Sequence, residues 1–197
     1  MGCDIHLTLE IKRKKLYDWE EKRNIKPTWQ HSSIINSFSS RIYGIFAVLA
    51  GVRNYNNLNV IVPNRGFPED ATLYTNELYY LRIYHKDGEV PDFLQDCRYI
   101  SQKDANNYVD KCNANIIIKT YGKGANADEI KYIEDIDYHH ANWCTTQEME
   151  ECFKAIFVDE NGNLEGDYIE WKVLLAVMKA YEESGEYECR AVYWFDN

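Results

Sequence analysis

Residues 3–12 alternate without a break: Cys3, Ile5, Leu7, Leu9 and Ile11 are apolar, while Asp4, His6, Thr8, Glu10 and Lys12 are polar. A period of two held over this length fits a β-strand with one dry face and one face that is wet or lines a cavity. A strand cannot stand alone, so the feature commits the chain to a sheet, and the far end offers a partner in the aromatic and β-branched stretch "YECRAVYWF".

Helical signals lie between these strands. Ser39 or Ser40 can cap a helix in which Ile42, Ile45, Phe46 and Leu49 share a face, and Gly51 can end it. A second helix is expected from Ser101, and a third opens at the Thr145–Glu148 capping box and runs through Ile156. "YIEWKVLLAVMKAYEESG" is a fourth, stopping near Gly185. Leu16, Tyr17 and Trp19 suggest a hairpin partner for the first strand, and "ANIIIKTY" reads as a further strand. "LYTNELYYLRIYH" fits helix and strand equally. "KDGE" reads as a turn and "GKGANAD" as a loop, while "EIKYIEDIDYHHANW" reads as a strand running into a histidine-bearing loop. The mixture predicts one α+β domain over 1–197, with a mostly antiparallel sheet that includes the N- and C-terminal strands and helices packed on one face.

Charge narrows the partners. Thirty-two acidic against 22 basic residues leave a net charge of −10, which disfavours duplex nucleic acid, whose counterions must be displaced by a basic surface. No apolar run approaches the ~20 residues of a membrane span, and no signal peptide is expected. The six cysteines form no C-x-x-C pair, so reduced thiols in a cytoplasm are the expectation. Assembly into a homo-oligomer stays open.

Three constellations can carry chemistry. Asp4 and His6 project from the same side of a strand, about 6.5–7 Å apart at the backbone. Asp137, His139 and His140 precede the capped helix, where imidazoles would sit beside a partial positive charge. Two histidines with one or two carboxylates suit Zn, Mn or Fe and leave positions open for water and substrate. Asp4, His6 and His139 are therefore candidate metal ligands, with Asp137 and His140 as candidate catalytic groups. The third constellation spaces Arg41, Arg53 and Arg65 among Tyr43 and Asp70, with Trp143 further on; guanidinium forks match phosphate or carboxylate oxygens. By contrast, "DENGNLEGDYIE" carries the ligand residue types of a calcium loop but has Leu164 where the sharp turn needs glycine, so Asn161-Gly162 reads as a tight turn. Cys3 falls on the apolar face, where a buried thiol is inert.

The stretches "MGCDIHLTLE", "RIYGIFAVLAGVRN", "NRGFPEDAT", "HHANWCT" and "YWFDN" resemble a set of small proteins of bacteriophages and bacteria. These open MGCDIH and carry an R-N-Y-x-L-F-A-x-L-A-G-V-R helix, an R-G-L-P-x-D loop and an H-S-x-S-W segment. Here Ile42 stands in place of the family's Asn, and "HHANWCT" departs from the last motif. The resemblance implies a phage-related protein in the cytoplasm of a bacterial host cell, and it supplies no reaction.

Three functions are compatible with these features. The first is a metal-dependent hydrolase of a phosphorylated small molecule, nucleotide-like in character, in which the ion activates water and the arginines neutralise phosphate. The second is a non-catalytic binder that sequesters a nucleotide signal as an anti-defence device, stacking it on Tyr43, Phe67 or Trp143. The third is an acidic protein–protein inhibitor.

Overall fold

A computed structural model describes residues 2–35, 38–84, 89–95, 97–121 and 128–196. The chain has the α+β architecture, and it sorts into two compact units, Met1–Thr72 with His140–Asn197, and Leu73–His139. The second unit is thus an insertion in the sequence of the first.

In the first unit, the alternating segment forms strand β1 (Ile5–Arg13). After it come the one-turn helix α1 (Asp18–Glu21), strands β2 (Gln30–His31) and β3 (Phe38–Ser40), and helix α2 (Tyr43–Ala50). The hairpin expected around Leu16–Trp19 does not form. The Glu20 carboxylate instead accepts the Tyr17 N–H at 2.8 Å and pairs with Arg13, whose guanidinium lies 3.7 Å over the Tyr17 ring. These local contacts close a helical turn before the chain can return along β1.

The other elements of the chain are α3 (Leu73–Tyr79), β4 (Leu81–Ile83), α4 (Asp92–Gln95), β5 (Tyr99–Ile100), α5 (Gln102–Cys112), β6 (Ile116–Tyr121), β7 (Asp128–Ile133), β8 (His139–Thr145), α6 (Thr146–Phe157), α7 (Ile169–Glu183) and β9 (Tyr187–Phe195). The first unit's sheet has the order β2-β1-β9-β8, with β3 also on β1. Strand β1 pairs antiparallel with β9 along its whole length, from Ile5 opposite Phe195 to Arg13 opposite Tyr187.

This register sends Cys3, Ile5, Leu7 and Leu9 of the first strand region to the same side as Cys189, Ala191, Tyr193 and Phe195. Helices α2, α6 and α7 cover that side with Phe46, Leu49, Met149, Phe153, Trp171, Leu174 and Met178. The capping box that opens α6 forms as the sequence predicts, with the Thr145 hydroxyl accepting the Glu148 N–H and the Glu148 carboxylate accepting the Thr145 N–H. Asp159 accepts the N–H groups of Asn161 and Asn163, making the tight turn expected there.

Two details differ from the sequence reading. Ser39 and Ser40 do not cap α2, because their backbone is taken up by pairing with His6 and Ile5 on β1. The helix starts after Ile42, and residues 45–49 are all buried, so it is apolar around its circumference and not on one stripe. The polar face of β1 is not wet throughout: Thr8 and Glu10 are fully buried.

The second unit has its own sheet in the order β5-β4-β7-β6, with β4 and β5 parallel and the other pairs antiparallel. Its core gathers Ile83, Ile100, Ala105, Ala114 and Ile133. The ambiguous "LYTNELYYLRIYH" is helix α3 followed by strand β4. Helix α5 starts at Ser101, whose hydroxyl accepts the Asp104 N–H at 3.1 Å. Residues 130–143 are not one strand. They divide into β7 and β8 around a turn closed by the Tyr138 N–H on the Asp135 carbonyl, and the two histidines open β8. The turn expected at 86–89 and the loop expected at 122–128 fall on residues mostly outside those described. Among the described residues, no helix is long and apolar enough to cross a membrane.

Helix α2 ends at Gly51, which has a φ of +72°. An added Cβ would meet Val60 at an ordinary 3.4 Å, so the cost of a side chain there lies in the backbone. Gly51→Ala is expected to lose about 1–2 kcal/mol, the left-handed penalty of an L-residue. Urea unfolding should show this as a lower midpoint with an unchanged slope.

Candidate functional site

The β1–β9 ladder has two chemically different ends. Asp4, His6 and Asp196 gather at one; Lys12, Glu188 and Arg190 lie toward the other. Extended chain from Asp4 to Lys12 spans about 26 Å.

The Lys12 end opens into a cleft of about 740 Å³. Trp29, Phe67 and Trp143 give it half-buried aromatic surface, Lys12, Arg65 and Arg190 give it cations, and Glu69, Asp70, Glu182 and Glu188 give it carboxylates. Its cations and indoles alternate. Lys12 Nζ lies 4.7 Å from the Trp29 ring centre, and the Arg190 guanidinium lies 4.0 Å from Trp29 and 5.7 Å from Trp143. Arg65 lies 4.5 Å from Trp143. Desolvated cation–π contacts of this kind hold the rings and the charges in fixed relative positions.

Each cation also has a carboxylate. Lys12 pairs with Glu188 at 2.6 Å. Arg65 forks onto Glu148, and its Nη1 also donates to the Trp143 carbonyl at 3.1 Å. Asn142 sets the loop that carries Arg65: buried in β8, it accepts the Arg65 N–H at 2.9 Å and donates to the Pro63 carbonyl at 3.0 Å and the Tyr193 hydroxyl at 3.2 Å.

Arg190 is the deepest cation, with a side chain 4% exposed. Its Nε and Nη2 donate to the Glu10 carboxylate at 2.8 and 2.6 Å, and its Nη1 donates to Asp70 at 2.8 Å. The second oxygen of Glu10 accepts the Thr72 N–H at 2.7 Å. A buried ion pair is tolerated only when its donors and acceptors are met in this way.

The candidate ligand-binding residues therefore fall into separate groups. Arg65, Asp70 and Trp143 share the cleft. Tyr43 and Arg53 line a shallow depression of about 60 Å³ beside Asn54 and Tyr55. Arg41 is at the other end of the ladder, where its Nε and Nη2 fork onto the two oxygens of Asp4 at 2.6 and 2.7 Å. The three arginines do not converge on one pocket.

The candidate metal ligands at that end are engaged with protein groups. Arg41 holds the Asp4 carboxyl below its usual range, and His6 Nε2 lies 3.0 Å from Asp196 Oδ2. Both Asp4 oxygens are forked by a guanidinium, and a carboxylate meets the Nε2 side of His6. Among the described residues, no group of three or more His, Cys, Asp or Glu side chains is placed to hold one. Asp137 and His139 belong to the Leu73–His139 unit and His140 to the other. His140 is exposed and has a positive φ of 50°.

The buried thiols are not poised as nucleophiles. Cys3 is buried as expected, and burial pushes its thiol up. Desolvation pushes Cys152 and Cys189 up to about 12. None of the six cysteines is paired.

Sequence reasoning missed Trp29, Glu10, Arg190 and Asp196. Arg190 had a visible signal as the lone cation in a strand that is aromatic and apolar from Ala191 onward. Glu10 had none, because its burial depends on standing opposite Arg190 in the β1–β9 register. Comparison with known protein families, with curated proteins and with solved structures finds no match to this chain.

Glu148 gives the site a pH signature. Burial alone would raise its carboxyl, but Arg65 together with the N–H and hydroxyl of Thr145 holds it below the ordinary 4.5. A carboxyl lowered in the folded state stabilises the protein above the unfolded-state value, and that contribution fades as pH falls through the folded-state value. Glu148→Gln keeps an oxygen for the cap but loses the charge facing Arg65, and should cost about 1–2 kcal/mol near pH 7 from the weakened charged hydrogen bonds. The gap from the parent should narrow below pH 4.5 when unfolding is measured across a pH series.

Proposed function

We propose that the protein is a non-catalytic binding module for a small planar, nucleotide-like anion seated in the Trp29–Phe67–Trp143 cleft. The observation that carries this reading is the gathering of three half-buried aromatic rings and three cations on one concave wall. Ligand sites combine apolar and aromatic walls with a few fixed polar groups, and aromatic faces stack any base with little regard to its identity. Lys12 and Arg65 keep 28% and 27% of their side chains exposed, which leaves them within reach of an incoming ligand.

A hydrolase reading asks more of the molecule. Asp4 would have to leave Arg41 before it could take a metal, and Asp70 and Glu188 would have to leave their ion pairs to act as acid or base. Binding needs neither a metal nor a free acid or base. The resemblance of the opening and helical segments to small phage and bacterial proteins supports the sequestering version, in which capture of a nucleotide signal disarms a host defence.

Two measurements test this. Extraction of denatured protein followed by mass spectrometry should recover an intact nucleotide and no hydrolysis product. Trp143→Ala should weaken binding of that nucleotide by the stacking energy of a base, about 1–3 kcal/mol, which is roughly 5- to 150-fold in Kd. Turnover of the recovered nucleotide would overturn the non-catalytic reading, and unchanged affinity in Trp143→Ala would move the site elsewhere.

A further inference from the structure

Arg190 has two working edges, and they are held by carboxylates of opposite character. Its Nε–Nη2 edge belongs to Glu10, which is wholly buried and tied by its other oxygen to the Thr72 N–H. Its Nη1 points to Asp70, whose side chain is 67% exposed. Asp70 sits at the end of the segment punctuated by Pro63, Gly66 and Pro68, and its backbone carbonyl also accepts from Arg190 Nη2 at 3.3 Å. Glu10 is therefore the permanent counter-ion that keeps Arg190 fixed. Asp70 holds the remaining donor with an oxygen open to water, and an ion pair that exposed is weak.

The same donor is flanked by the stacking surfaces. Trp29 and Trp143 both lie against the Arg190 guanidinium, so a ring docked on either places its substituents near Nη1. Resting on the reading of this cleft as a nucleotide-type site, we propose that Asp70 occupies the seat of the ligand's anionic group, and that a phosphodiester monoanion displaces it from Arg190.

The charge balance selects the monoanion. Glu10 already neutralises Arg190, Glu188 neutralises Lys12, and Glu148 neutralises Arg65. Glu69 and Glu182 add further negative charge to the wall. A monoanion that takes the seat turns the exposed Asp70 carboxylate out into water, where it is screened, and so adds one charge to the wall. A phosphomonoester carries about −1.5 to −2 at neutral pH and adds more.

The test is a titration of the full chain, followed by calorimetry and tryptophan fluorescence. The probes are the ribonucleosides of adenine, guanine, cytosine and uracil, with their 5′-monophosphates and 3′,5′-cyclic monophosphates. For the base that binds, the cyclic form should bind at least 5-fold tighter than the 5′-monophosphate. Asp70→Asn should tighten the cyclic form at least 3-fold and change the nucleoside by less than 2-fold. A 5′-monophosphate that binds as well as the cyclic form, or a cyclic form indifferent to Asp70→Asn, overturns the seat while nucleoside binding upholds the cleft. Failure of every probe overturns the cleft reading itself. Circular dichroism of Asp70→Asn and Asp70→Ser completes the test: loss of fold in both variants overturns the proposal, because an exchangeable carboxylate cannot be essential to folding.

Discussion

The antiparallel pairing of β1 with β9 is the constraint on which the rest of the first unit depends. One register decides three things together. It turns the odd-numbered residues of both strands toward α2, α6 and α7, where they form the core. It places Glu10 opposite Arg190 on the reverse face, and it puts Asp4 and Asp196 side by side at the strand ends, where the Asp4 N–H donates to Asp196 at 2.8 Å. A slip of one residue would send every side chain of a strand to the other face, exposing the core and separating the buried charges. The hydrophobic pattern and the ion pair thus specify the same alignment.

The buried pair has a second effect, on the cleft. An arginine beneath two indoles would be costly without a counter-ion, and a counter-ion in solvent would let the guanidinium wander. Glu10 answers both problems because it is carried by the central ladder and anchored to the Thr72 N–H. The Glu148 carboxylate does comparable service for Arg65: its Oε2 accepts the Thr145 N–H that closes the α6 cap, and both its oxygens receive the guanidinium. Rigid elements fix the charges, and the loop carrying Arg65, Phe67 and Asp70 meets them. Groups that must act together at a site gain from being held in this way.

Much of this was legible in the sequence wherever the signal was local. The capping box at Thr145, the Ser101 cap, the glycine that ends α2 and the alternation of β1 each concern neighbours within a few residues, and each appears as read. Arg65, Asp70 and Trp143 were visible as site candidates because an arginine in a Gly/Pro loop suits an anion and a tryptophan offers a face for stacking. What escaped was set by long-range pairing. Glu10 looked solvated because alternation says only that it differs from its neighbours, not what lies above it. Ser39 and Ser40 looked like caps because nothing local reveals that their backbone amides pair with β1. Arg41 and Arg65 look alike in sequence, yet opposite ends of a strand ladder separate them.

The central ladder also imposes an order of events during synthesis. Strand β1 is made well before β9, which follows about 180 residues later, so its apolar face and the edge that β9 takes must wait. Loop-closure entropy rises only slowly with such a separation, but the waiting strand is prone to stray pairing with other chains. The inserted unit, Leu73–His139, has a core drawn from its own residues and can gain order during that interval. Chaperone dependence would then fall on the opening strand, the segment exposed longest before its neighbour arrives.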